Sequence, residues 1–213
     1  MAKQRMEIKV CGMRERANCQ QLATSLVPDW MGLIFYSKSP RFVEDKESDW
    51  ISSLPLKKVG VVVGEQQSVM RERISRFRLS ALQLHGGESL DLVQELKATT
   101  AVEIWKVISV GEGIDWKAME AFVPHVDRFL FDTASASKGG SGKQFDWGLL
   151  KDYPFEKGFM LSGGLTVSHA SAIRDLADSI PQLLGVDLNS GFELAPGLKD
   201  MTALQAFKQE LSK

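Results

Sequence analysis

The chain has 213 residues, of which 44% are hydrophobic and 25% charged, and its formal net charge is −1. That length suits one domain or a small barrel, and the composition is that of an ordinary water-soluble protein. The near-zero charge argues against a nucleic-acid or membrane partner, and no run approaches the roughly 18 apolar residues of a membrane helix. Residues 1–7, MAKQRME, are polar and too short for a secretory signal. Cys11 and Cys19 stand in neither a CxxC nor a zinc spacing, so no metal is expected and a reducing cytoplasm is.

Apolar runs recur from one end to the other. Strands are expected near Glu7–Val10, Trp30–Phe35, Lys57–Val63, Ala81–Leu84, Val102–Ile108, Arg128–Phe131, Gly158–Leu161 and Leu183–Asp187. They are mostly continuous rather than alternating, as suits parallel strands buried on both faces. Between them lie helical patterns. Cys19, Leu22, Ala23 and Leu26 share one face, as do Leu92, Val93 and Leu96 in the segment Glu88 to Lys97. The basic run Arg71 to Arg78 reads as the solvated face of a third helix. A further helix is expected from Ser168 through Ala177, and Asp146, Ser168 and Asp200 are candidate N-caps. Strand starts about 20–30 residues apart match one βα unit each. About eight units over residues 1–213 predict a single-domain (β/α)8 barrel, with a doubly wound open sheet as the alternative.

In such a barrel the carboxyl ends of the strands meet at one face, where the chemistry sits. There the prediction collects Cys11, Ser39-Pro40-Arg41, His85, Asp132, Gly163-Gly164 and the run Asp187 to Glu193. Asp132 closes an apolar strand and opens a Gly/Ser loop, Thr133 to Gly142. Lys9 and Cys11 share a strand face, so an inward-facing ammonium would lower the thiol pKa from about 8.5. Cys11 can equally be a small buried core residue, and Cys19 belongs to the apolar stripe of the first helix. Arg41 can grip a carboxylate in a planar, bidentate way or sit on the surface. His85 can contact a ligand or satisfy a local hydrogen bond. Two Gly-rich loops after the seventh and eighth strands point to phosphate binding by backbone N–H groups and a short helix.

Six stretches together resemble the phosphoribosylanthranilate isomerase family of tryptophan biosynthesis. They are KVCGM at 9–13, GLIFYSKSPRFV at 32–43, LQLHGGE at 82–88, FDTASASKGGSGKQFDW at 131–147, LSGGL at 161–165 and GVDLNSGFELAPGLKD at 185–200. The resemblance implies a (β/α)8 barrel. It also implies a cofactor-free Amadori rearrangement of N-(5-phosphoribosyl)anthranilate to 1-(o-carboxyphenylamino)-1-deoxyribulose 5-phosphate. Carried over by position, Cys11 is the general base and Asp132 the general acid. Arg41 holds the anthranilate carboxylate, and His85 and Asp187 line the site. Gly163, Gly164, Ser190 and Gly191 bind the phosphate. Asn189 departs from the small serine common in the family. The expected partner is a small sugar phosphate, with the chain a monomer or homodimer.

Two other readings are open to the sequence. The histidine-pathway isomerases run the same rearrangement on a duplicated half-barrel with two aspartates, whereas here the first strand ends in Cys11 and no strong two-fold repeat is visible. A silent sugar-phosphate sensor would keep the phosphate loops but need neither Cys11 nor Asp132.

Overall fold

A computed structural model describes residues 5–134 and 144–213. Eight parallel strands close into a barrel in chain order. They are β1 (Glu7–Val10), β2 (Trp30–Ile34), β3 (Lys58–Val62), β4 (Ala81–Leu84), β5 (Glu103–Val110), β6 (Arg128–Thr133), β7 (Phe159–Leu161) and β8 (Leu183–Leu188). Closure is made by β1 on β8, with Lys9 opposite Asp187 and Val10 opposite Leu188. This pairing excludes the open sheet, since an open sheet leaves its terminal strands unpaired.

Helices α1 (Arg16–Gln21), α2 (Ser48–Ser52), α3 (Gln67–Phe77), α4 (Leu90–Thr99) and α5 (Trp116–Glu120) follow the first five strands. After β7 and β8 come α6 (Ala170–Ser179) and α7 (Met201–Leu211). The segment after β6 differs. Asp146 does act as a cap, accepting from the Gly148 N–H at 2.8 Å, but the element it opens is a 3-10 helix, Trp147–Asp152. Asp200 caps α7 as expected, accepting from Thr202 N and Ala203 N at 2.9 and 3.0 Å. Ser168 does not cap α6. Thr166 and His169 form a capping box two residues earlier, which starts a 3-10 turn at Val167. The histidine ring can accept from the Thr166 N–H, so it fills the place of the usual Glu or Gln.

Two apolar layers hold the barrel. The larger packs strands against helices and includes Cys19, Leu22 and Leu26 on the first helical segment. The smaller fills the barrel interior with Trp30, Val59, Ala81, Trp105, Val107, Leu130 and Met160. Near the amino ends of the strands, Trp30 and Trp105 meet edge to face with centroids 4.9 Å apart. The Arg128 guanidinium lies 4.6 Å from the Trp105 ring centre and pairs with Glu7 at 2.8 Å and Glu103 at 2.9 Å. A stacked, doubly paired arginine is well suited to this plug, because its planar cation offers both a face and a fork of donors. The basic run on α3 is only partly a solvated face. Arg71, Arg76 and Arg78 are exposed. Arg73 is buried, 4.8 Å from the Phe35 ring centre and paired with Glu65 and Asp45 at 2.9 and 3.3 Å.

Candidate active site

At the carboxyl end of the barrel the structure opens a cavity of about 610 Å³, part of it continuous with solvent. Cys11, Arg41, His85, Asp132 and Asp187 all line it, joined by Tyr36, Gln83, Ser162 and Asn189. Five of the residues expected from strand ends are thus gathered around one space.

Cys11 follows β1 directly and is buried. Gly32 on the neighbouring strand makes room for it. A Cβ there would stand 2.8 Å from Cys11 Sγ and 2.9 Å from its Cα. Lys9, one step inward on the same face, donates to Asp187 Oδ2 at 2.8 Å. The expected lowering of the thiol pKa does not occur. Burial pushes the Cys11 thiol up, and Lys9 only partly offsets this, because its charge is already shared with Asp187. Burial alone would pull Lys9 down, but Asp187 and Cys11 hold it above the ordinary lysine value. Asp187 is raised by burial, with Lys9 opposing.

Asp132 is the penultimate residue of β6, paired with Ser109 of β5, and its Oδ1 accepts from the Thr133 N–H at 3.0 Å. Its Oδ2 lies 3.5 Å from His85 Nε2, and His85 Nδ1 lies 3.4 Å from Gln83 Nε2. His85 is therefore held between β4 and β6 on the cavity wall. Gln83 Oε1 and Asp187 Oδ1 are buried with no hydrogen-bond partner among the described residues. Two bare acceptors on one cavity wall call for donors from a ligand, since an unmatched buried oxygen is costly.

Arg41 is nearly buried and already grips a carboxylate of the protein itself. Its Nε donates to Glu193 Oε1 at 2.8 Å, and its Nη2 to Glu193 Oε2 at 2.6 Å. The bidentate geometry foreseen from sequence exists, but with an internal partner, which leaves the other edge of the guanidinium for a ligand. Glu193 Oε1 also accepts from Lys199 Nζ at 2.6 Å, and Lys199 donates to Asn189 Oδ1 at 2.8 Å. Burial would raise the Glu193 carboxyl, but Arg41 and Lys199 hold it below the usual carboxylate range. Asn189, the family departure, is thus a tether for Lys199. Glu193 stood among the strand-end residues in sequence but carried no signal of its own. Lys199 lies on a small hairpin, β9 (Glu193–Ala195) with β10 (Leu198–Lys199), and its return to the site is visible only in three dimensions.

The glycine loops after β7 and β8 lie against each other. A Cβ on Gly191 would stand 2.1 Å from the Leu165 carbonyl oxygen. Gly163 and Gly164 both have positive φ, +94° and +63°, and a Cβ on Gly163 would strike Thr133 Oγ1 at 2.2 Å. Glycine is needed at these positions for close approach and for backbone conformation alike. In the turn and loop hydrogen bonds of the described residues, the N–H groups of Gly163, Gly164, Ser190 and Gly191 are not donors. The short helix expected beside them is a single 3-10 turn, Ser190–Phe192, so its dipole contributes less than the roughly half charge of a full helix end. The Gly/Ser loop was expected over Thr133 to Gly142. Its residues 135–142 lie outside the described residues.

A family model described as "PRAI: N-(5'phosphoribosyl)anthranilate (PRA) isomerase" matches residues 8–210. An N-(5'-phosphoribosyl)anthranilate isomerase of Parabacteroides distasonis is 41% identical over 210 residues, covering 97% of this chain and 93% of that one. The crystal structure of phosphoribosyl anthranilate isomerase from Thermotoga maritima superposes with a TM-score of 0.82 at 29% identity, covering 98% and 99% of the two chains. A crystal structure of such an isomerase in complex with reduced 1-(o-carboxyphenylamino)-1-deoxyribulose 5-phosphate superposes with a TM-score of 0.79 at 27% identity, over 98% and 99%.

Proposed function

The chain belongs to the N-(5'-phosphoribosyl)anthranilate isomerase family, and from that premise we propose how its own residues carry out the reaction. As a member of the family it is an isomerase. It converts N-(5-phosphoribosyl)anthranilate to 1-(o-carboxyphenylamino)-1-deoxyribulose 5-phosphate. The observation that carries the residue assignment is the convergence of Cys11, from the end of β1, and Asp132, from β6, on one cavity that also holds Arg41.

Asp132 is the general acid. It protonates the furanose ring oxygen, the C1′–O bond breaks, and the nitrogen lone pair forms a protonated imine. Cys11 is the general base. Its thiolate takes the C2′ proton, the electron pair moves into the C1′–C2′ bond, and the resulting enolamine tautomerises to the ketone. The raised thiol pKa makes the thiolate scarce in the resting site but a stronger base once formed. The protonated imine adds positive charge beside Lys9 and Lys199, and that favours thiolate at the step that needs it. The bare acceptors Asp187 Oδ1 and Gln83 Oε1 suit ribose hydroxyl donors. His85 flanks Asp132, and Arg41 offers its free edge to the anthranilate carboxylate. The uncommitted N–H groups of Gly163, Gly164, Ser190 and Gly191 suit the 5-phosphate, each N–H to a charged acceptor contributing about 1.5–3 kcal/mol.

This reading takes residues 1–213 as one barrel domain working in the cytoplasm. No described helix is long and apolar enough to cross a membrane. The test is steady-state turnover of Cys11→Ala and Asp132→Asn. Loss of a general acid or base costs about 10²–10⁴-fold in rate, so each variant should lose most of its kcat while keeping a wild-type circular dichroism spectrum. Near-normal kcat in either one would remove that residue from its role.

A further inference from the structure

Glu193 is given no task by the reaction as described, yet it is a heavily engaged carboxylate behind Arg41 of the cavity wall. Its side chain is 5% exposed. It accepts from Arg41 Nε at 2.8 and 3.0 Å, from Arg41 Nη2 at 2.6 Å, from Lys199 Nζ at 2.6 Å and from the Gly197 N–H at 3.0 Å. We infer that Glu193 is the positioning residue for carboxylate recognition, taking the Nε–Nη2 edge of Arg41 so that the Nη1 side is presented to the aryl carboxylate of the substrate. This rests on the isomerase reading above.

Three observations support it. The first is donor accounting. A guanidinium has five N–H donors in a fixed fork. Glu193 uses one on Nε and one on Nη2, so those left are the two on Nη1 and one on Nη2. No described residue accepts from them, and Arg41 lines the cavity. The second is charge. Arg41 and Lys199 are two cationic groups against the single carboxylate of Glu193; burial pulls Lys199 below the ordinary lysine value while Glu193 opposes this, and Cys11 beside them is held towards its neutral thiol. The Arg41 guanidinium stays charged, and with Lys199 also drawing on Glu193 the cluster leans positive, which matches an incoming carboxylate. The third is restraint. Gly12 has φ +72°, and a Cβ there would stand 2.6 Å from Arg41 Cδ and 2.8 Å from Asn189 Oδ1. The arginine stem thus lies flat across the β1 loop, and Lys199, tied to Asn189, fixes Glu193 from the far side. A preorganised fork loses less entropy on gripping a carboxylate than a free one.

The experiment compares wild type, Glu193→Gln and Glu193→Asp on two substrates. One is phosphoribosylanthranilate, and the other is its counterpart made from aniline, which lacks the carboxylate. Glu193→Gln removes the charge that holds the fork. Its KM for the carboxylate substrate should rise about tenfold or more, with kcat changed by less than about threefold, since a grip equal in ground and transition states is uniform binding. On the aniline substrate its kcat/KM should stay within about threefold of wild type. Glu193→Asp keeps the charge but is one methylene too short to span the fork. It should show the same substrate-selective rise, which serves if the Gln variant does not fold. Equal losses on both substrates would mean a structural role and overturn the inference, as would an unchanged KM on the carboxylate substrate. A wild-type chain silent on both substrates would overturn the isomerase reading itself.

Discussion

Lys9→Met is the perturbation with the largest consequence derivable from the interior of the barrel. Lys9 is fully buried, Asp187 is 5% exposed, and the two meet at 2.8 Å. Asp187 already has one oxygen without a partner, so losing Lys9 leaves a buried carboxylate with no partner for either oxygen among the described side chains. Breaking a buried pair from one side costs about 3–5 kcal/mol, against a typical total of about 5–15 kcal/mol. Urea unfolding at neutral pH should therefore show a loss of that size. The pH dependence has a definite sign. Burial raises Asp187 in the folded state, and without Lys9 it is raised further. The folded form then binds more protons than the unfolded one, so the deficit shrinks as pH falls through the folded-state value and widens as pH rises. The double variant Lys9→Met with Asp187→Leu removes both charges and should be more stable than Lys9→Met alone. A loss below about 1 kcal/mol in the single variant, or a double variant no more stable than the single, would refute the reasoning.

Arg41→Met should raise KM more than it lowers kcat, because its carboxylate contact is made in both ground and transition states. An unchanged KM would take Arg41 out of substrate binding. Gly191→Ala places a Cβ 2.1 Å from the Leu165 carbonyl, so it should push the two loops apart and weaken inorganic phosphate as a competitive inhibitor. Wild-type inhibition in that variant would move the phosphate site elsewhere. Burial would raise the Glu88 carboxyl, but Lys106 at 2.9 Å and the backbone N–H groups of Gly64 and of Glu88 itself hold it below the usual carboxylate range. A depressed folded-state pKa gives stability that is present above the unfolded value of about 4.3 and lost as pH falls through the folded value. Glu88→Gln should thus be less stable than wild type at neutral pH, with the gap closing in acid. A gap that stays constant with pH would contradict this.

Much of the barrel was legible because parallel strands buried on both faces leave continuous apolar runs. β1 and β4 match the expected bounds, while β5 runs on to Val110 and β6 to Thr133. Those extra residues pair with each other, and a polar strand end gives no periodic signal that pairing exists. The 3-10 helix after β6 and the capping box at Thr166 were hidden for a similar reason. Both depend on one local hydrogen-bonding pattern rather than on a repeated apolar face. At the site, residues that end strands could be collected from spacing alone. What spacing cannot give is who pairs with whom. An inward-facing Lys9 could have lowered the Cys11 thiol, but its charge is divided with Asp187, 178 positions away in sequence. Arg41 was expected to be free for a ligand, but one edge belongs to Glu193, 152 positions away. Pairings across the closed barrel follow from the β1–β8 seam and the hairpin beyond it, and neither leaves a local pattern.

The most direct test of the central claim is to follow the fluorescence of freshly generated phosphoribosylanthranilate in the presence of the wild-type chain. The signal should decay far faster than without protein, saturate with substrate, and yield 1-(o-carboxyphenylamino)-1-deoxyribulose 5-phosphate, identified by mass and chromatography. A decay no faster than the spontaneous one, with correctly folded protein and fresh substrate, would contradict the assignment.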